Sequence, residues 1–525
     1  MASGLIPTSH DFVTSLYKHH SVDAAGLERL RRPIDDLILE TAESQDVFVA
    51  VDGPVRNYER RLVVTPSTST ASASAAPEAL WDVEESISYQ LAIPIWWPLF
   101  TLPLRSRLSH HTKHADSPMP WWAPPDRFDA RAATVISLLA VLAIISAYVG
   151  SLLSQTLSFA GKEFGISSSD QSFTAGLIRL GTPLAFALAW IADRRGRRKL
   201  LLGSALAACT LASLTALVPT FWAYAVVQAL FRGLSTAMAL LIGIVAVEES
   251  PAGSRAFVVS VISLCGGLGS GMVVWAVPLA DTGIGGWRWI YVLALIGVIP
   301  ILLMWRHIPE TARFEAAQQR ANADADVDRR QLARRLAMLG ATAFLFTMFA
   351  APASTLNTDY LTTVHDFSAT RVSLFKLVTS TPIGLGVVVA GWIADRYGRK
   401  MIGAFGVLTG AVLTMVEYNT SGASLWIFGI IGTVLGGAVV PTLGVYGPEL
   451  FGTIRRGKAN GFISMVGVAG SVTGLFLGGW LLDKYDYGLT FQVLLIGPVI
   501  VAGLVLFVFP ETANRTLEDI NPGDK

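Results

Sequence analysis

Arg179, Arg232 and Lys376 each interrupt a run of apolar residues. An ionisable side chain in such a place costs roughly 2.5 to 3.5 kcal/mol to bury in hydrocarbon, so its default interpretation is functional. A guanidinium presents five donors in a planar fork that fits a carboxylate. Three cations with few acids near them therefore predict an electropositive cavity suited to an anion. The acids near these runs are Asp359 and Glu417, each towards the end of its own run. Tyr148, Gln155, Asn357 and Tyr446 add polar groups able to orient a ligand. The competing interpretation leaves Arg232 on backbone carbonyls and lets Arg179 and Lys376 reach outward along their apolar stems.

The runs that hold these residues decide the class of the protein. With 52% apolar residues, 15% charged ones and a mean hydropathy of +0.51, the chain must hide its surface in lipid. From Arg131 onward it divides into twelve apolar runs long enough to cross a bilayer, at about 20 residues each. They cover 132–155, 171–192, 199–218, 221–247, 256–279 and 287–305, then 336–357, 372–393, 401–418, 424–447, 458–481 and 488–509. Arg and Lys gather in the loops after spans 2, 4, 6, 8 and 10, which predicts that this face and both termini are cytoplasmic.

The loops carry a second pattern. Asp193-Arg194-Arg195-Gly196-Arg197-Arg198 returns 202 residues later as Asp395-Arg396-Tyr397-Gly398-Arg399-Lys400. Glu248 with Arg255 returns 201 residues later as Glu449 with Arg456, and Pro309-Glu310-Thr311-Ala312 returns at the same offset as Pro510-Glu511-Thr512-Ala513. A constant offset marks a duplicated unit. The expected fold is an all-α membrane protein of two pseudo-symmetric six-helix bundles, residues 131–305 and 336–509, with a cytoplasmic segment at 306–335 and a tail at 510–525. In each half the loop Asp, its Arg and the Glu and Arg of the next corner form a charge cluster. Topology alone does not need the acids, so the clusters predict a latch that holds the cytoplasmic gate shut.

In these motifs the chain resembles the major facilitator superfamily. The runs ADRRGRRK and GWIADRYGRK and the endings PETAR and PETANRTLED are most similar to the sugar-porter and aromatic-acid or metabolite symporter branches. The resemblance implies alternating access, with a substrate site near the midplane between the halves, and places Glu310 and Glu511 in the same charge networks. It also shows departures. Sugar porters carry Gln where this chain has Ser263, and a Gln pair where it has Ala351 and Pro352, which argues against a hexose. Aromatic-acid relatives carry an Asp in span 1, near Val149 here, so the resemblance leaves a coupling proton without its usual carrier. Ala189 stands where the family has Gly, and the family's span-4 Arg falls near Gln228, a turn before Arg232.

The expected activity is secondary active transport of a small organic anion, with a sugar transporter and a transporter-derived sensor as alternatives. Nothing in the chain assembles a nucleophile, a base and an orienting group, so an enzyme is not expected, nor is a cofactor or metal. A net charge of +1 gives no reason to expect nucleic acid. The expected partners are substrate, lipid and a possible coupling proton, around a monomer in the plasma membrane. Residues 1–65 predict a small helix-plus-hairpin unit, with a helix over 22–43 and strands around Asp52-Gly53. Residues 66–130 predict a linker with an interfacial Trp- and Pro-rich segment at 89–104. His110, His111 and His114 fall in this polar linker without a cysteine nearby and are not expected to hold a metal, and Cys209 and Cys265 read as small core residues.

Overall fold

A computed structural model describes residues 13–66, 80–114, 120, 123–124, 126–185, 187–188, 191, 196–251, 254–305, 329–444, 446, 450–451 and 456–511. Two compact units emerge. One gathers the N-terminal region with the first turns of span 1 and the adjoining ends of spans 4, 5 and 6; the other gathers the rest of the spans.

The N-terminal region is a five-stranded antiparallel sheet in the order β1-β5-β4-β3-β2. Its strands are β1 (Thr14–Val22), β2 (Leu39–Ser44), β3 (Val47–Asp52), β4 (Val55–Pro66) and β5 (Trp81–Leu91). The expected hairpin is present as β3 and β4. The expected helix over 22–43 is shorter: α1 (Ala24–Leu30) is capped by Asp23, stops ahead of Pro33, and residues 39–44 pair with β3 instead. Pro cannot continue the helix, and its predecessor is pushed to extended backbone. The expected linker contains β5, which pairs with both β1 and β4.

Helix α2 (Trp97–Ser109) buries Leu104 and Leu108 against the sheet while Leu99 and Leu102 stay exposed. Arg60 sits fully buried in β4. It donates from Nη2 to Glu40 at 2.8 Å and from Nη1 to the Leu30 carbonyl at 2.7 Å, approaches Glu85 at 3.4 Å, and stacks over Phe48. Burial pushes the neighbouring Tyr58 phenol up, with the Glu40 carboxylate adding to the effect. Arg60→Ala leaves the buried Glu40 carboxylate without its cation and leaves Glu85 with only His20 and His111 beside it, so the sheet should lose about 3–5 kcal/mol. Hydrogen exchange of the β4 and β5 amides in the full chain measures this, and a loss near zero would contradict the pairing.

The sheet is fastened to span 1. Arg56 donates to the Thr134 hydroxyl at 3.0 Å, which in turn donates to the Ala92 carbonyl at 2.9 Å. Trp96 Nε1 donates to the Ser137 carbonyl at 2.9 Å. Ser254, beyond span 4, receives the Asp126 amide at 2.7 Å.

The membrane part is all helix. Among the described residues nine helices are long and apolar enough to cross a bilayer. The longest are span 1 (Ala130–Phe164) and span 7 (Arg329–Thr363), 35 residues each. Spans 2, 3 and 8 fall outside that count; the first helices of spans 2 and 8, Ser168–Arg179 and Ala369–Ser380, end just before Pro183 and Pro382. Span 3 (Arg197–Thr215) opens on three basic residues. Spans 4 (Phe221–Glu248), 5 (Arg255–Ala276), 9 (Arg399–Glu417) and 11 (Arg456–Leu482) are each one helix, while spans 6, 10 and 12 are built from shorter pieces over 287–304, 423–443 and 487–507.

The duplication extends to packing. A Cβ on Gly269 of span 5 would fall 2.1 Å from the Ile144 carbonyl oxygen of span 1, and one on Gly470 of span 11 would fall 2.2 Å from the Phe344 oxygen of span 7. Gly470 lies 201 residues after Gly269. Small residues permit this approach of helix backbones, which holds each bundle together without any hydrophobic driving force.

Candidate functional site

The site is organised by one stretch of span 7. Thr355, Asn357 and Thr358 each meet a charged group or its partner from a different helix. Arg179, in the last turn before the break in span 2, donates from Nη2 to Thr355 Oγ1 at 3.4 Å. Lys376 of span 8, buried, donates from Nζ to Gln155 Oε1 of span 1 at 2.5 Å and also to Thr358 Oγ1. Asn357 Nδ2 donates to Glu417 Oε1 of span 9 at 3.0 Å. Arg232 of span 4 reaches the Gly150 carbonyl of span 1 at 3.4 Å. The Nε atoms of both arginines are buried and make no hydrogen bond among the described residues.

A cavity of about 390 Å³ opens beside these groups, lined by Gln155, Asn357, Lys376, Thr414 and Glu417 with the aromatic walls Phe349 and Phe375. The volume lies within the range of pockets that enclose a small organic molecule, and an apolar lining with a few convergent polar groups is the usual pattern. Gly406, Gly410, Gly432 and Gly436 form part of its wall, where spans 9 and 10 pack closely: a Cβ on Gly406 would fall 2.7 Å from the Ala438 Cβ, and one on Gly410 2.6 Å from the Gly436 Cα.

The structure brings Gln155, Asn357 and Lys376 together at the cavity, and sets Arg179 and Arg232 beside the same two helices, spans 1 and 7. It takes the other candidates elsewhere. Tyr148 donates to the Ile290 carbonyl at 2.7 Å inside the first bundle. Tyr446 is buried against Phe509 and donates to the Pro510 carbonyl at 3.2 Å. Asp359 accepts from Ser158 at 3.1 Å and from Tyr487, one turn beyond the cavity. Glu417 lines the cavity although its place near the end of a run set it apart from the other candidates; the signal was its acid in a segment otherwise free of acids.

Asp359 belongs to a seam that joins the bundles away from the basic loops. Lys162 donates to the Thr362 carbonyl at 3.2 Å, Ser172 to the Leu475 carbonyl at 2.6 Å, and Ser373 to the Val274 carbonyl at 2.7 Å. The Asp281 carboxylate accepts the amides of Ala369 at 2.7 Å and Thr370 at 2.8 Å. Those are orphan donors at the start of the span-8 helix, which a carboxylate satisfies and whose dipole it complements.

At the loop face, Asp193, Glu310 and Glu449 lie outside the described residues, as do the side chains of Arg255, Asp395 and Arg456. Arg197 opens span 3, Glu248 closes span 4 and Arg399 opens span 9. The Glu511 carboxylate accepts the backbone amides of Arg399 at 3.0 Å and Lys400 at 3.2 Å. It caps span 9. Gly398 has a φ of 106°, and a Cβ there would fall 2.8 Å from the Glu511 carboxylate, so both backbone and space call for glycine. Glu511→Ala should weaken this end of span 9 by about 1–2 kcal/mol. Faster hydrogen exchange confined to the Arg399 and Lys400 amides would show it; unchanged protection would contradict the cap.

Two stretches, residues 139–449 and 336–522, match the sequence profile of the Major Facilitator Superfamily. Among curated proteins, the chain is 24% identical to a cis,cis-muconate transport protein of Acinetobacter baylyi, over 65% of this chain and 86% of that protein. It is 26% identical to a putative metabolite transport protein of Haemophilus influenzae, over 62% of this chain and 83% of the relative. Among solved structures, a D-xylose-proton symporter superposes with a TM-score of 0.60 at 17% identity, covering 73% of this chain and 99% of that one. The human organic anion transporter MFSD10 superposes at 0.52 and 16% identity, over 73% and 100%. These structural likenesses establish the twelve-span fold. With a profile match over most of its length, the same fold and the repeated loop motifs, the chain belongs to the Major Facilitator Superfamily, a family of integral membrane transporters of small solutes.

Proposed function

We propose that the protein is a secondary active transporter of a small organic carboxylate, with the basic loops and both termini in the cytoplasm of a plasma-membrane-bound chain. The observation that carries the reading is the set of Arg179, Arg232 and Lys376 around spans 1 and 7. Their hydrogen-bond partners are neutral, and Lys376 lines the cavity together with the acid Glu417. A buried Lys376 and two half-buried arginines whose Nε atoms are buried and without a hydrogen bond among the described residues favour an anionic guest, because an unpaired buried charge is costly and a carboxylate relieves it with charge-assisted hydrogen bonds. The likeness to a muconate transport protein agrees, since muconate is a dicarboxylate.

Alternating access then requires two gates. The seam through Ser158, Asp359, Lys162 and Thr362 serves as the outer one, and the repeated charge clusters, with Glu511 bound to the start of span 9, serve the cytoplasmic one. Single surface pairs contribute little, roughly 0–1 kcal/mol. Several acting together suffice to bias a two-state balance of a few kcal/mol.

A thermal-shift screen of purified protein against aromatic acids, dicarboxylates and hexoses tests the reading. Carboxylates should stabilise the protein and hexoses should not. Arg179→Ala should abolish the carboxylate shift while the protein still inserts and folds. Stabilisation by hexoses alone would move the protein to the sugar-transporter alternative.

A further inference from the structure

We propose that the turn before α2 and the first half of that helix lie in the lipid headgroup layer, so that the N-terminal sheet is held by the bilayer as well as by span 1.

The surface in question is a stripe of apolar side chains. Ile95, Pro98, Leu99, Phe100 and Leu102 are exposed, Leu99 by 66% and Leu102 by 72%. Pro98, Leu99, Leu102 and Arg105 recur at the spacing of one helix face, and Leu104 and Leu108, on another face, are buried against the sheet. No charged residue occurs from Leu91 to Leu104. Single exposed apolar residues are ordinary, but a contiguous stripe without a charge marks a docking surface.

The contacts with span 1 say what covers it. Thr134 donates to the Ala92 carbonyl and the Ser137 carbonyl accepts from Trp96, so the chain runs inward along span 1 between Ala92 and Trp96. Ser137 stands five residues into the apolar run that begins at 132, about 8 Å along the helix at 1.5 Å per residue. An exposed side chain at that level meets lipid. The backbone there suits a place poor in water. The Trp96 amide donates to the Pro94 carbonyl at 2.8 Å and the Leu99 amide to the Trp96 carbonyl at 3.0 Å, while Pro98 has no N–H to satisfy. The Thr101 hydroxyl donates to the Trp97 carbonyl at 2.6 Å.

Beyond Leu102 the character changes. Arg105 is exposed, and Arg107 pairs with Asp36 at 2.5 Å, where the end of α2 joins the sheet region. An arginine at the position of Arg105 reaches lipid phosphate while its stem stays among the leucines. Apolar residues sunk about 5–10 Å into the headgroup boundary, with a basic end above them, are the pattern of a helix lying in the interface. The interfacial segment expected over 89–104 is thereby narrowed to 94–105, because residues 89–91 belong to β5.

Fluorescence of the full chain in nanodiscs of phosphatidylcholine and phosphatidylglycerol tests the proposal. Cys209 and Cys265, both buried, are replaced by alanine, and a bimane label is attached through Leu102→Cys or, as a control, through Val51→Cys at an exposed position of β3. A nitroxide on the lipid acyl chains should quench the Leu102 label severalfold more than the Val51 label, and aqueous iodide should do the reverse. Equal quenching of both labels by iodide, with none by lipid, would overturn the proposal. A Leu102 label shielded from both quenchers would overturn it too and give the face to a protein partner, which crosslinking between labelled chains would identify or not as a second copy. Leu99→Glu together with Leu102→Glu should speed hydrogen exchange of the α2 amides severalfold in the same nanodiscs. Exchange at the wild-type rate would overturn the hold of the bilayer on this helix.

Discussion

Lys376→Met is expected to abolish carboxylate binding and transport while leaving the protein folded and inserted. The ammonium group is held by Gln155 and Thr358 on two helices that belong to different halves of the duplication, and it lines the cavity with Glu417. Leaving a bound carboxylate without its buried cation typically costs about 2 kcal/mol or more, which corresponds to a loss of at least roughly 30-fold in affinity. Methionine matches the apolar stem in length and lacks only the charge, so packing against Phe375 and its neighbours should survive. Retention of wild-type affinity would remove Lys376 from the site, however well the protein folds.

Gly474→Val is expected to prevent stable assembly of the second bundle. A Cβ at this position would lie 2.0 Å from the Met348 carbonyl oxygen, far inside contact distance. The Met348 carbonyl is available for this approach because Pro352, four residues on, has no N–H to give it. A Cα hydrogen of Gly474 can fill the place as a weak donor. Valine would have to push span 11 away from span 7 along a seam that also holds Gly470 against Phe344, and Thr347 against the Gly467 carbonyl at 2.6 Å. The backbone oxygen cannot rotate aside as a side chain would, so overpacking at such a contact costs at least about 1–3 kcal/mol. The same substitution at Gly271 or Gly267 of span 5, where nothing lies within 4 Å, should be tolerated. Thermal stability in detergent compares the two classes directly. Equal melting temperatures for Gly474→Val and Gly271→Val would contradict the assigned packing.

How far the sequence foretold all this differs from region to region, for physical reasons. Spans were legible because a bilayer demands long apolar runs: spans 4 and 9, Phe221–Glu248 and Arg399–Glu417, keep close to the expected bounds, while spans 1 and 7, Ala130–Phe164 and Arg329–Thr363, run on past them as unbroken helix. The interruptions of spans 2 and 8 were also written there, in Pro183 and Pro382. Strand β5 was hidden because WDVEESISYQL places Glu85 on the buried face. Arg60, 25 residues away in sequence, together with His20 and His111 makes that position tenable. Helix α1 was overestimated because the pattern of leucines continues past Pro33 into what becomes a strand.

The site shows the same division. Lys376, Gln155 and Asn357 could be picked out one by one, as polar groups in apolar surroundings. That Lys376 reaches Gln155 could not, since 221 residues separate them and the contact depends on how two bundles meet. Tyr148 and Tyr446 carried the same local signal and turn into their own bundles, where a backbone carbonyl accepts each hydroxyl. Polarity inside a span marks a need for a partner; only packing decides whether that partner is protein or ligand.

The central claim, carriage of an organic carboxylate through a site built on Lys376 and the two arginines, is tested most directly by flux. Purified protein in liposomes should accumulate labelled cis,cis-muconate when the outside is made acidic, Lys376→Met should not, and labelled hexose should not enter in either case. Hexose uptake that survives Lys376→Met, with no carboxylate flux from the wild type, would contradict the account.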